Sequence, residues 1–149
     1  MRMRRNVLFY VTLGALLLPC TSRAELGGNI ASILSEQKEF NSQLSSAQQN
    51  GVNVYTQTLP SGIVLQEYLS SNGAIFAVAW SGPSLPNLQV LLGGYFKDYL
   101  VAIKESRRSV YLSNENIVIQ SSGMMGAFQG FAFLPKQAPA GFTPNNLPQ

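Results

Sequence analysis

Seven consecutive apolar residues, Ala74-Ile75-Phe76-Ala77-Val78-Ala79-Trp80, follow directly on Asn72-Gly73. An apolar run of that length bounded by turn residues reads as a strand covered on both faces. Such a strand needs partners on either side and a layer above and below it, which rules out a simple helical bundle. Two partners lie just upstream, at residues 54–58 and 63–69, both rich in β-branched and aromatic side chains. In the second, Ile63, Leu65 and Leu69 share one face with Glu67, while Val64, Gln66 and Tyr68 take the other. The connection Leu59-Pro60-Ser61-Gly62 suits a turn with proline at its second position, where the ring already holds the required φ. Asn72-Gly73 predicts a type I′ hairpin, because both of its central residues need positive φ.

After Trp80 the period changes. Ser81-Gly82-Pro83-Ser84-Leu85-Pro86 interrupts the strand, and Leu88, Leu91, Leu92, Tyr95, Phe96, Tyr99, Leu100 and Ile103 then recur at helical spacing. The pattern predicts an amphipathic helix over residues 86–104 with a wide apolar stripe laid on the meander. Gly93 and Gly94 inside it each cost roughly 1 kcal/mol relative to Ala, and a close approach to the sheet is one reason to carry them. Strands are expected at residues 109–112, 117–121 and 127–134. The composition between residues 29 and 51 predicts another helix, capped by Asn29, running to about residue 47 and closed by Gly51 in a left-handed conformation. A mobile polar linker is the competing reading there. The fold class is therefore α+β: an antiparallel sheet, β-meander plus C-terminal strands, packed against a central amphipathic helix, with an N-terminal helix.

Residues 1–24 have the grammar of a secretory signal. Arg2, Arg4 and Arg5 form a basic start, Val7 to Leu18 is apolar but short for a bilayer span, and Ser22-Arg23-Ala24 places small residues before a cleavage point after Ala24. Lipidation of Cys20 competes with this, although Pro19 stands where a smaller residue is expected. The remainder divides into one domain, residues 25–134, and a Pro- and Asn-rich tail, residues 135–149, that wraps the surface or stays disordered. No membrane span is expected after cleavage.

Loss of the leader changes the charge. Ten basic residues against seven acidic give +3; without Arg2, Arg4, Arg5 and Arg23 the balance is six against seven, or −1. The apparent basicity belongs to targeting and gives no support to nucleic-acid binding.

The run 62–68, then Gly73 through Pro83, carries a resemblance. With Leu85-Pro86-Asn87-Leu88, Leu91-Leu92-Gly93-Gly94-Tyr95-Phe96 and Phe131-Ala132-Phe133-Leu134-Pro135 following in order, the chain resembles the Domain of Unknown Function 2844 family of secreted bacterial proteins. The resemblance implies an exported location. It implies no activity and carries over no catalytic residue.

The chemistry available is narrow. The sequence holds no His, and its one Cys, Cys20, lies in the leader, which removes Ser-His-Asp and Cys-His catalysis and His-ligated metals. No cofactor is expected. Paired carboxylates such as Glu67 and Asp98 keep a hydrolase reading open, with Glu67 the acid whose pKa an apolar setting would perturb. The competing role for Glu67 is a solvated strand residue or a cross-strand partner of a Lys. Trp80, Ser81, Gly82 and Pro83, with Glu67, form the candidate contact surface, although Trp80 equally suits the core between sheet and helix. The reading is of a non-catalytic periplasmic or secreted binding or accessory module for an envelope protein or cell-wall component. A carboxylate-based envelope hydrolase and a lipid-anchored accessory subunit through Cys20 are the alternatives. Oligomeric state is not legible.

Overall fold

The computed structural model describes residues 25–106 and 109–148; the leader, with its cleavage point and Cys20, lies outside them. The described residues form helix α1 (Ile30–Phe40), strands β1 (Gln43–Gln49), β2 (Val52–Thr58), β3 (Val64–Leu69) and β4 (Ile75–Gly82), helices α2 (Leu88–Leu92) and α3 (Phe96–Glu105), and strands β5 (Ser109–Ser113), β6 (Val118–Met124) and β7 (Ala127–Phe133). The strands make one antiparallel sheet in the order β1-β2-β3-β4-β7-β6-β5. Two meanders thus meet at the middle, β4 against β7. Every residue of β4 from Ile75 to Trp80 is buried, as a run apolar on both faces requires.

The first helix begins as expected and ends early. Asn29 Oδ1 accepts from Ala31 N at 2.9 Å, and Ser32 Oγ accepts from Asn29 N at 3.1 Å, closing the N-terminus. The helix stops at Phe40 because Asn41 turns left-handed, φ 49° and ψ 42°, a conformation Asn tolerates better than most residues. The expected helical segment 43–47 is instead β1. Its polar sequence lacks the alternation that marks a strand, and its seven-residue register with β2 supplies what propensity does not. The positive-φ pair sits at Asn50 and Gly51, φ 50° and 79°, so the type I′ hairpin joins β1 to β2. At the expected Asn72-Gly73 only Gly73 has positive φ. There Gly73 N bonds Ser70 O at 2.8 Å, and Asn72 Oδ1 accepts from Ala74 N at 3.1 Å, an Asx-braced turn in place of type I′.

Residues 88–105 are helical in three consecutive pieces, α2, a 3-10 turn Gly93–Tyr95, and α3. Asn87 caps the start, its Oδ1 accepting from Val90 N at 3.3 Å. Leu88, Leu91, Leu92, Tyr99 and Ala102 are buried against the sheet, whereas Leu100, from the expected stripe, is 44 % exposed. The break at Gly93, φ 51° and ψ −123°, rotates α3 relative to α2 and so moves Leu100 off the apolar face. The close approach at Gly93 is to Glu25, whose carboxylate occupies the space a Cβ would need, and not to a strand. Leu26 N bonds Leu91 O at 2.9 Å in the same place.

The sheet separates two cores. On the helix side Ile33, Leu65, Leu69, Val78, Trp80, Leu92, Ile119 and Ala132 pack together. On the other side Val54, Tyr68, Phe76, Phe131 and Phe133 are covered by Phe142 and Leu147 from the C-terminal segment. Phe142 stands 4.9 Å, centroid to centroid, from Phe76 and 5.8 Å from Tyr68, within the range of favourable edge-to-face contacts. Residues 135–148 therefore form the third layer of the fold.

Candidate functional site

Glu67 lies in the middle of β3, opposite Tyr55 on β2 and Val78 on β4, and its side chain is fully buried on the helix-side face. Gln57 Nε2 donates to Glu67 Oε2 at 3.1 Å, and Gln57 Oε1 accepts from Ser42 Oγ at 2.7 Å. The three residues form a buried polar line across β3, β2 and the start of β1. Removal from water raises the Glu67 carboxyl and the Gln57 hydrogen bond lowers it in partial compensation, leaving it at about 7. Glu67 Oε1 has no hydrogen-bond partner among the described residues. A carboxyl closed off in this way does not meet a substrate from solution.

Asp98, the other acid of the hydrolase reading, is in the first turn of α3. That helix packs on β5, and Tyr99 bonds Ser121 of β6. β6 and β5 lie three and four strand spacings from β3, about 14–19 Å at the usual strand spacing, beyond the separation paired catalytic carboxylates use. The structure does not bring Glu67 and Asp98 together. No group of three His, Cys, Asp or Glu side chains able to hold a metal occurs among the described residues.

Trp80 is likewise interior. It is 3 % exposed, and its ring lies over Gly130 of β7, where a Cβ would stand 2.6 Å from Trp80 Cζ2. Of the expected contact surface, Trp80 and Glu67 thus face the core, whereas Ser81 and Pro83 are exposed and Gly82 is half-buried.

Ser81 and Gly82, but not Pro83, border a groove that sequence reasoning missed. Ser81 pairs with Gln129 and Gly82 with Phe128, where β4 ends beside β7. The β6–β7 hairpin continues past that end, and between them lies an open groove of about 720 Å³ lined by Ser81, Gly82, Ser122, Gly123, Met124 and Phe128 with their neighbours. Gly123 shapes it: a Cβ there would come within 2.6 Å of the Phe128 ring and 2.8 Å of Ala127 O. At the hairpin tip Met124 is 75 % and Met125 98 % exposed. The signal available in the sequence was the bracket Gly123-Met124-Met125-Gly126, two thioethers held between glycines. The lining offers two hydroxyls, an amide, an aromatic ring and a thioether, and no carboxylate or amine. Such walls hold a ligand by contact and hydrogen bonding and supply no acid or base. A smaller cavity of about 100 Å³ lies between α1 and α2, lined by Glu36, Phe40, Leu65, Pro86 and Leu91 among others.

The family model described as Protein of unknown function (DUF2844) matches residues 22–147, and the chain belongs to that family. No curated protein and no solved structure matches the chain.

Proposed function

We propose that this member of the DUF2844 family is an exported, non-catalytic binding module whose contact surface is the groove between the end of β4 and the β6–β7 hairpin. The observation that carries this reading is the groove itself, with Met124 in its lining, Met125 exposed at the adjoining hairpin tip and no titratable side chain in its walls. Exposed methionines adapt to varied apolar surfaces, and serines with Gln129 supply polar anchors, a combination suited to a protein or a cell-wall component of the envelope. Export is supported by the basic start, short apolar run and Ser22-Arg23-Ala24 of the leader. The family match starts at residue 22, close to that cleavage point. Among the described residues no helix is long and apolar enough to cross a membrane.

Two measurements test the reading. Mass spectrometry of the N-terminus should find a chain starting at Glu25; a lipidated Cys20 would instead make the same domain a membrane-tethered subunit. Binding to isolated envelope fractions should fall at least tenfold in Ser81→Trp and Met124→Glu, both exposed positions, with no change in unfolding midpoint. Equal binding by both variants would remove the groove from the function.

A further inference from the structure

β1 lies at the rim of the sheet, with β2 on one side and no described strand on the other. Leu59 N donates to Ile63 O at 2.9 Å, which fixes the alternation along β2. Tyr55 and Gln57 bond towards β3, so Val52, Val54, Thr56 and Thr58 bond towards β1. Through their register Gln43, Ser45, Ala47 and Gln49 turn their N–H and C=O groups inward. Leu44, Ser46 and Gln48 turn theirs to the open edge.

Proteins blunt such edges with charge, proline, bulges or brevity. β1 uses none of these. Gln-Leu-Ser-Ser-Ala-Gln-Gln has no charge and no proline, its register is unbroken over seven residues, and only Leu44 is not exposed. The opposite rim differs. β5 has only five residues and packs against α3, so brevity and a neighbouring helix blunt that edge.

The geometry points to β1 as the surface through which two copies of this chain join, antiparallel about a two-fold axis at Ser46, in one continuous sheet. That register sets Gln43 opposite Gln49, Leu44 opposite Gln48, Ser45 opposite Ala47, and Ser46 opposite itself. All edge-facing groups are then satisfied by about six backbone hydrogen bonds. Each facing pair is neutral, and a primary amide both donates and accepts, so a Gln–Gln pair is complementary to itself. A foreign peptide is disfavoured by the same facts, since nothing on β1 selects a charge or a large side chain. One strand pair buries less than the roughly 1,200 Å² of a standard interface. The association is therefore weak, with a Kd on the order of 10 μM to 1 mM. It shares no residue with the groove and stands independently of it.

Sedimentation velocity on protein purified from cells expressing the complete sequence tests this, from a few micromolar to about 1 mM. The dimer fraction should rise with concentration. Ser46→Pro removes an edge-facing donor and leaves the β1–β2 ladder intact, so it should weaken the dimer at least tenfold with unchanged circular dichroism. Tyr111→Pro is the matched control on β5: Asn114 N bonds Ile117 O, so residue 111 also points away from its partner strand, and the dimer should persist. If Ser46→Pro fails to fold, Ser46→Lys sets two charges on the axis, and its weakened dimer should recover in about 1 M salt. A monomer at every concentration, an open-ended series beyond the dimer, or a dimer indifferent to both Ser46 substitutions would each overturn the assignment.

Discussion

Gln57 donates its Nε2 proton to Glu67 Oε2 at 3.1 Å across the β2–β3 boundary, and neither side chain is exposed to solvent. The pair makes Glu67 the residue through which pH reaches the stability of this fold. Its carboxyl is raised from 4.5 to about 7, so the folded chain holds a proton that the unfolded chain releases earlier. Below pH 4.5 both states are protonated and the stabilisation is fully present. As pH rises from 4.5 to 7 the unfolded state ionises first, and the contribution is lost by about pH 7. The loss amounts to about 3 kcal/mol. Urea midpoints of the wild type should fall across that window relative to those of Glu67→Gln, which keeps the acceptor for Gln57 and cannot ionise. At pH 8 the variant should be the more stable by about 1–3 kcal/mol. A difference between the two that stays constant with pH would show that the carboxyl titrates in the folded chain as it does in the unfolded one.

Gly130→Ala should destabilise the fold by about 1–3 kcal/mol through overpacking. The new methyl group would meet both the Trp80 ring and Gln120 O. Because Trp80 is the only tryptophan, its fluorescence and near-ultraviolet circular dichroism should shift with the unfolding midpoint. An unchanged midpoint would place the Trp80 ring elsewhere.

Phe142→Ala should cost about 3–5 kcal/mol, the range for losing a large buried aromatic. Its ring contacts those of Tyr68, Phe76 and Phe133. Amide exchange should quicken across residues 135–148 and on the face of β4 that carries Phe76. A loss below 1 kcal/mol would mean that the C-terminal segment adds little to the core.

Asn41→Val should cost about 1–2 kcal/mol, since a β-branched residue is strained at φ 49°. Asn41→Gly should be near neutral. Thermal unfolding of both variants checks the sharp boundary between α1 and β1, because a helix continuing to residue 47 would favour Val over Gly.

The sheet was legible where side chains alternate or cluster. Ile75 to Trp80 declared itself as a central strand, and Leu88 to Tyr99 as a helix laid over it, because burial there follows local hydrophobicity. β1 was not legible, since Gln43 to Gln49 is held by backbone pairing at an exposed rim and needs no apolar side chain. The left-handed turn at Asn41 is one residue wide and leaves no periodic trace. Glu67 stood out as an acid among apolar neighbours, but Gln57 and Ser42 come from other strands, and only the three-dimensional register unites them. The groove escaped for the same reason: Ser81 and Phe128 meet through the β4–β7 pairing across a gap of more than forty residues. Trp80 was given two roles, and the core one is where its ring lies.

Phe142 and β7 also govern the order in which the molecule can be finished. Synthesis yields β1 to β4 first, yet β4 gains its second neighbour only from residues 127–133, and the aromatic face of Phe76 is closed only by residue 142. A nascent chain still held in the ribosome, or one cut short by a premature stop, presents Tyr68, Phe76 and Phe133 to water as an adhesive patch. Truncated products should therefore be cleared by holding chaperones and quality-control proteases, and a tag fused close behind Leu147 sits against the last piece to be seated.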